Sequence, residues 1–382
     1  YYKGGVVMKV MTILGTRPEI IRLASVIKSL DTFCEHFLVH TGQNYDYNLN
    51  KVFFADLGLR EPDLQLSVKN DTIYGQLANI INETGKILDQ IKPDAVLVLG
   101  DTNSALSVIV ARRLNIPVYH MEAGDRSFDK DVPEELNRRL VDHSSDILLA
   151  YTEASRRNLL REGIHPGKVF VTGSPIYEVY SSLEKKYERS EVLAKLKLQE
   201  KEFITASIHR EENVDIKGGL NKIVESFNCL AQKYNVPIIV STHPRTKAKL
   251  KILGLFQSCH EQVKWHEPFG LIDFLKLQTS AKCVVSDSGT IHEDASVLGF
   301  PAVAIRKSTE KPESIDAGHC VITGLDPQAV ERAVNIAIET SNSQIQLPMP
   351  VEYCVQDVST KVVKIIIGMN EVVRRRNGVG FN

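Results

Sequence analysis

The sequence predicts an α/β protein made of two doubly wound, parallel-sheet domains, and three observations lead there. Short apolar, β-branched runs alternate with longer stretches of helical period, which is the pattern of βαβ units. The alternation starts afresh after the charged run Glu184-Lys-Lys-Tyr-Glu-Arg-Ser190, so there are two series rather than one. A chain of 382 residues also exceeds what one hydrophobic core usually accommodates.

The first series places strands at Val10–Leu14, Phe37–His40, Ala95–Leu99, Val118–His120, Ile147–Ala150 and Val169–Thr172. Each is a short apolar run without strict alternation, as suits a parallel strand covered on both faces. Met8-Lys-Val-Met-Thr-Ile-Leu runs directly into the first strand, so Tyr1–Val7 reads as an extension with no part in the fold. The second series is Phe203–Ser207, Pro237–Ser241, Val263–His266, Cys283–Ser286, Ala302–Ile305 and Cys320–Ile322. A helix at Glu191–Lys197 opens it and another at Pro327–Glu339 closes it.

The expected division is 8–175 for the first domain and 176–358 for the second, with a hinge near 174–185. The segment 359–382 contains a helix, Ser359–Asn370, long enough to lie back across the first domain. Two open sheets facing one another leave a cleft between their C-terminal edges, the place where such sheets bind ligands.

Composition excludes several functions. Hydrophobic content of 43% and charged content of 24% are ordinary for a globular protein, and a net charge of −1 gives no field for gathering nucleic acid. The longest apolar runs, such as Ala95–Leu99 and Pro237–Val240, are far shorter than a membrane helix, and no cleavable signal is visible. Membrane insertion is therefore not expected. The six cysteines are scattered, without a Cys-x-x-Cys pair or a histidine cluster at metal-ligand spacing, so they read as reduced thiols of a cytoplasmic protein that holds no metal.

Gly15-Thr-Arg-Pro-Glu-Ile20 follows the first strand and begins a helix, with Pro18 in the first turn where its missing N–H costs nothing. That helix N-terminus, with Arg17 beside it and Arg22 one turn on, can hold a phosphate or take up oxyanion charge; a capped helix with surface arginines is the alternative. The loop is not a Gly-x-Gly-x-x-Gly fingerprint, so no dinucleotide cofactor is predicted. Gly100-Asp-Thr-Asn-Ser104 ends another strand, and Asp101 is either a helix N-cap or a group in the binding crevice.

The densest chemistry lies in Glu122-Ala-Gly-Asp-Arg126 and Val132-Pro-Glu-Glu-Leu-Asn-Arg138. Asp101, Glu122, Glu134 and Glu135 all come from strand ends or the loops after them, so they can converge. Carboxylates that converge raise one another's proton affinity, which suits them to general acid and base work. Against this, one of Glu134 and Glu135 is expected to pair with Arg138 or Arg139 along a helix.

In the second series, Ser207-Ile-His-Arg-Glu-Glu-Asn213 puts His209 and Arg210 after a strand, with Asn213 close behind. Thr242-His-Pro-Arg245 adds His243 and Arg245. Ser286-Asp-Ser-Gly-Thr-Ile-His-Glu-Asp-Ala295 ends a strand and starts a helix, and the small residues Ser288, Gly289 and Thr290 let backbone N–H groups approach a diphosphate. Glu293 or Asp294 can accept hydrogen bonds from ribose hydroxyls. Arg306-Lys-Ser-Thr-Glu-Lys-Pro-Glu313 contributes further cations, Lys311 among them.

In this order the motifs resemble those of the non-hydrolysing UDP-N-acetylglucosamine 2-epimerase family, from about Met8 to Gly368. They are Gly-Thr-Arg-Pro-Glu, Gly-Asp-Thr, Glu-Ala-Gly-x-Arg, Pro-Glu-Glu-x-Asn-Arg, His-Arg-x-Glu-Asn, His-Pro, Ser-Asp-Ser-Gly and Thr-Glu-x-Pro-Glu. The resemblance implies a glycosyltransferase-B-like fold of two Rossmann-like domains, a cytoplasmic homodimer and no cofactor. The implied reaction inverts C2 of a UDP-2-acetamido sugar, UDP-N-acetylglucosamine to UDP-N-acetylmannosamine, by elimination and re-addition of UDP, for surface polysaccharide such as capsule or lipopolysaccharide.

Carried over by motif, the acid/base group would be Asp101, Glu122 and Glu134, with His209 near the diphosphate. Arg17, Arg22, Arg126, Arg138, Arg210, Asn213, His243, Ser288, Gly289, Thr290, Glu293, Asp294 and Lys311 would contact the substrate. The chain departs from the family pattern at Arg22 (usually Lys), Asp125 (Leu), Thr290 (Gly), Asp294 (Glu) and Lys311 (Arg), so a standard diphosphate site with an altered sugar pocket is expected. With Thr41-Gly-Gln-Asn-Tyr-Asp-Tyr-Asn-Leu-Asn50, these changes are similar to the branch forming UDP-N-acetyl-L-fucosamine from a 6-deoxy-L-talose precursor. The motifs also admit a hydrolysing epimerase or a glycosyltransferase of the same fold.

Overall fold

The structure, a computed structural model, describes residues 7–42, 47–129, 132–343, 345 and 347–378. Nearly all of the Tyr1–Val7 extension and residues 43–46 of the Thr41–Asn50 motif lie outside the described residues. The chain divides into two compact units, one of residues 1–181 with 354–382, the other of residues 182–353.

The first unit alternates strand and helix: β1 (Lys9–Leu14), α1 (Arg17–Phe33), β2 (Glu35–His40), α2 (Tyr47–Leu57), β3 (Leu64–Gln65), α3 (Ile73–Ile91), β4 (Ala95–Leu99), α4 (Val108–Arg113), β5 (Val118–Met121), α5 (Pro133–Ser144), β6 (Ile147–Ala150), α6 (Glu153–Arg161) and β7 (Val169–Val171). α7 (Ile176–Glu188) follows, and the division between the units falls inside it. Among the described residues the first unit's seven strands are all parallel, in the order β3-β2-β1-β4-β5-β6-β7. β3 is too short to announce itself by pattern, and the sequence reading has no strand there.

The second unit contains α8 (Val192–Leu196), β8 (Ile204–Ile208), α9 (Glu211–Val214), α10 (Gly219–Tyr234), β9 (Ile238–Thr242), α11 (Pro244–Ile252), β10 (Val263–His266), α12 (Leu271–Ser280), β11 (Cys283–Ser286), α13 (Ile291–Leu298), β12 (Ala302–Ile305), α14 (Pro312–Asp316), β13 (Cys320–Thr323) and α15 (Pro327–Asn342). Its six parallel strands run β10-β9-β8-β11-β12-β13. The last helix, α16 (Val358–Arg376), returns to the first unit and packs on α1. There Tyr119 Oη donates to the Ile366 carbonyl at 3.1 Å, and Arg374 reaches Asp94 at 2.9 Å.

Local chemistry sets these elements. β4 is Ala-Val-Leu-Val-Leu, buried at every position because helices cover both faces of the sheet. α1 starts with proline in its first turn and buries Ile20, Leu23, Ala24, Val26, Ile27 and Leu30 at helical spacing. Thr72 caps α3 by accepting the Gly75 N–H, and Asp326 caps α15 by accepting that of Ala329 at 2.8 Å.

In both sheets the first strand lies next to the fourth of its series, and the winding reverses between them. At such a switch point the loops after the two central strands diverge and leave a crevice at the C-terminal edge. In the first unit those loops carry Gly15–Thr16 and Gly100–Thr102; in the second they carry His209–Arg210 and Asp287–Thr290.

Candidate functional site

The first unit gathers charge at its switch point. Arg138, on the second turn of α5, touches the Asp101 carboxylate through Nη2. The same guanidinium lies 3.9 Å from Glu122 Oε1 and 3.5 Å from Asp125 Oδ2. Arg22 Nε is 3.1 Å from Glu122 Oε2, with both side chains buried. Asp101 is thus a member of this cluster and not a helix cap; the short 3-10 turn after it begins at Asn103, with Thr102 in the capping position.

Glu122 stands at φ +61°, the left-handed region that non-glycine residues seldom adopt. Such strain persists only where the surroundings fix it, and it collects at functional sites. The loop after Glu122 is fixed by close packing. A Cβ on Gly124, at φ +85°, would meet the Ser155 carbonyl oxygen at 2.3 Å, so only glycine fits there. Asp125 faces inward, accepting from Ser155 Oγ at 2.6 Å.

Several expected residues serve other purposes. Glu135 accepts from the Ser127 N–H and pairs with Arg139 at 3.1 Å, the (i, i+4) ion pair expected of one of the two glutamates, and it stays out of the cluster. Glu134 is exposed on the first turn of α5. Arg126 turns inward. Its side chain is wholly buried, bidentate on Glu162 at 2.9 and 2.7 Å and 2.7 Å from Asp142 Oδ2, so it braces the loop. Arg17 lies over the Phe53 ring at 5.2 Å.

Glu19 is a residue the sequence reading passes over. Its Oε2 accepts from the Gly15 N–H at 3.1 Å and Thr16 Oγ1 at 2.8 Å, and its Oε1 accepts from Thr102 Oγ1 at 3.1 Å. Burial pushes its carboxyl up to about 7, against the lowering effect of those hydrogen bonds. The carboxylate that the α1 N-terminus attracts is therefore the chain's own, and it ties the β1 loop to the β4 loop across the switch point. The Thr16-x-x-Glu19 spacing of a capping box is the available signal.

In the second unit the organising group is Asp287, wholly buried at the end of β11. It accepts the backbone N–H groups of His209 and Arg210, each at 3.0 Å, and Asn213 Nδ2 at 3.3 Å. Asn213 also donates to the Ile305 carbonyl, so its amide is occupied as a buried brace. His209, about half exposed, sets Nδ1 3.2 Å from Asp287 and leaves Nε2 as the ring nitrogen for a ligand.

The loop Ser288–Thr290 that follows is self-bonded: Ser288 Oγ and Thr290 Oγ1 are 3.1 Å apart, and Thr290 donates to Asp294 at 2.9 Å. A Cβ on Gly289 would lie 3.2 Å from Arg210 Nη2 and 3.3 Å from Arg306 Nη1, so two guanidiniums flank that glycine. Arg306, in sequence only one of several cations, is bidentate on Glu310 at 2.9 and 3.0 Å. Glu293 is fully buried against Lys311 at 3.6 Å, which leaves Asp294 as the acid nearer the loop. His243 caps α11, its Nδ1 accepting the Arg245 N–H at 3.3 Å. Among the described residues no helix is long and apolar enough to cross a membrane.

A family model described as UDP-N-acetylglucosamine 2-epimerase matches residues 28–367. The chain is similar to the solved structure of UDP-N-acetylglucosamine 2-epimerase from Rickettsia bellii, with 41% identity and a TM-score of 0.90 over 97% of this chain and 99% of that one. It is similar also to the Methanocaldococcus jannaschii UDP-GlcNAc 2-epimerase solved in complex with UDP-GlcNAc and UDP, with 37% identity and a TM-score of 0.87 over 94% of this chain and 100% of that one. A third relative, the UDP-2,3-diacetamido-2,3-dideoxy-D-glucuronate 2-epimerase of Pseudomonas aeruginosa, is 35% identical over 325 residues, 83% of this chain and 88% of its own. With the family model spanning most of both units, the chain belongs to the UDP-N-acetylglucosamine 2-epimerase family.

Proposed function

We propose that this protein is an isomerase that inverts C2 of a UDP-2-acetamido sugar, converting UDP-N-acetylglucosamine to UDP-N-acetylmannosamine without releasing free sugar. The observation that carries the reading is the meeting of Asp101 and Glu122 with two arginines at the first unit's switch point. A base takes the C2 proton, the C2–H electron pair becomes the second C1–C2 bond, and the C1–O bond to UDP breaks. UDP then adds back to C1 while a proton reaches C2 from the opposite face. No electrons leave or enter, so no cofactor is required.

In this reading Asp101, Glu122 and Glu134 exchange the proton, and Arg22 and Arg138 hold the first two carboxylates in place. The second unit holds the nucleotide. His209, Arg210 and His243 with Ser288, Gly289 and Thr290 take the diphosphate, Asp294 the ribose hydroxyls, and Lys311 supplies further positive charge. Cations aimed at the leaving diphosphate stabilise the charge that develops there.

The finer assignments rest on other observations. All six cysteines are free thiols, which supports a cytoplasmic setting. Ile73 and Tyr74 of α3, Ile109 of α4, and Leu136 and Leu140 of α5 are exposed apolar side chains on neighbouring helices, which supports a homodimer through this side of the first unit.

The test is proton NMR in D2O with UDP-N-acetylglucosamine and, separately, its 6-deoxy-L-talose analogue. Deuterium entering C2 of the first, with the 2-epimer accumulating and no free sugar, is the expected result. Exchange in the analogue alone would reassign the sugar, and no exchange in either would sink the epimerase reading.

A further inference from the structure

Beneath the carboxylate cluster, His120 of β5 is wholly buried between two oxygens. Its Nδ1 is 2.9 Å from Asp142 Oδ1 and its Nε2 is 2.9 Å from the Gly100 carbonyl oxygen. A carbonyl only accepts, so Nε2 carries a hydrogen. A neutral ring then has none left for Nδ1, and its lone pair would face a carboxylate oxygen at hydrogen-bond distance. The contact is attractive only if a hydrogen lies between Nδ1 and Oδ1 as well.

Asp142 decides where that hydrogen sits. Its Oδ2 is 2.7 Å from Arg126 Nη2 and accepts the Gly124 N–H at 3.2 Å. A guanidinium and a backbone N–H already point at Oδ2, the setting of a carboxylate that accepts at both oxygens, so the hydrogen between Nδ1 and Oδ1 belongs to the ring. The titratable and charged groups around the ring are Asp142, His143 and Arg139 of α5, Arg126 of the loop after β5 and Glu162 after α6, with His143 Nε2 3.4 Å from Glu162 and the Arg139 charge also acting on Glu162.

We propose that His120 is a buried ring that donates from both nitrogens, to the Gly100 carbonyl and to Asp142, and so acts as a positioning residue for Asp101 and Glu122. Gly100, whose carbonyl it holds, immediately precedes Asp101 and has φ +71°. Gly124, held through Asp142, lies two residues after Glu122. Asp142 stands on the helix that carries Arg138, so one buried proton locks both carboxylate-bearing loops to α5. The protonation state stands on this geometry alone; the positioning role rests on the epimerase reading.

The experiment is nitrogen-15 NMR of protein labelled at histidine, at neutral pH, with His120→Gln used to assign the resonances. Both ring nitrogens of His120 should show imidazolium shifts, and Asp142→Asn should return the ring to a neutral tautomer. A neutral ring in the unmodified protein would overturn the proposal. Turnover is read alongside. His120→Asn keeps a donor toward Asp142 and loses the Gly100 contact, and His120→Gln does the reverse. Each should lower kcat about a hundred-fold, since small misplacements of a reacting group cost that much, with KM and UDP affinity little changed. Unchanged kcat per folded molecule would reduce His120 to a structural group. The ring spectrum needs no turnover, so a failed epimerase assay and a neutral ring are separate results.

Discussion

Arg138 holds Asp101 through Nη2 while lying 3.9 Å from Glu122 and 3.5 Å from Asp125, one guanidinium serving three acids. Arg22 adds a second cation to the group through Glu122. Removing one partner of a buried pair costs more than the pair contributes, because the remaining charge stays desolvated. Arg138→Met should therefore destabilise the first unit by about 3–5 kcal/mol, measured by urea unfolding, and abolish turnover. A loss below about 1 kcal/mol, the size of an exposed pair, would mean that water reaches the acids.

Amide substitution separates chemistry from binding. Asp101→Asn, Glu122→Gln and Glu134→Gln keep shape but cannot accept a proton as a carboxylate does. Each should stop deuterium exchange at C2 while calorimetric UDP affinity stays within about two-fold, a shift of under 0.5 kcal/mol. Full exchange in any one of them removes that residue from proton transfer. Glu134 is the most exposed of the three by its setting on α5, and so has the least support from geometry.

Gly289 tests the nucleotide loop. An added methyl would press on Arg210 Nη2 at 3.2 Å and Arg306 Nη1 at 3.3 Å, and Arg306 is pinned by Glu310. The two guanidinium ends would have to give by a few tenths of an ångström, where a ligand phosphate would need them. Gly289→Ala should weaken UDP binding with little change in Tm; undiminished affinity would place the diphosphate elsewhere.

Glu19 predicts a dependence of stability on pH. Its folded carboxyl is raised to about 7 from 4.5, so between those values the folded state holds more protons than the unfolded chain. Stability from this group is full at the acid end and falls as pH rises, by about 3 kcal/mol in all. His40 and His292, lowered by burial to about 4 from 6.5, act oppositely over their own range. The clean measure is the difference between Glu19→Gln and the unmodified protein, which should shift in favour of the variant from pH 4.5 to 7. A difference independent of pH would refute the raised carboxyl.

Two series of parallel strands, the loops that end them and the family they mark are legible in the sequence, because helical and strand periods and glycine-containing strand ends are local properties. Ala95–Leu99 is continuous apolar sequence wherever it folds, and Gly100-Asp-Thr follows it in any case. Which charges meet which is settled only in the folded chain. Arg126 and Arg138 read alike in sequence, as neighbouring cations of one segment. Arg126 turns inward to Asp142 and Glu162, and Arg138 turns to Asp101 and Glu122. His120 and Asp287 are equally hidden, and for Glu19 only its tie to Thr16 is local, since what marks them is burial together with partners 74 to 83 residues away or on the next strand. Those pairings follow from the reversal of winding at β1 and β8, which brings distant loops together, and no local spacing encodes it.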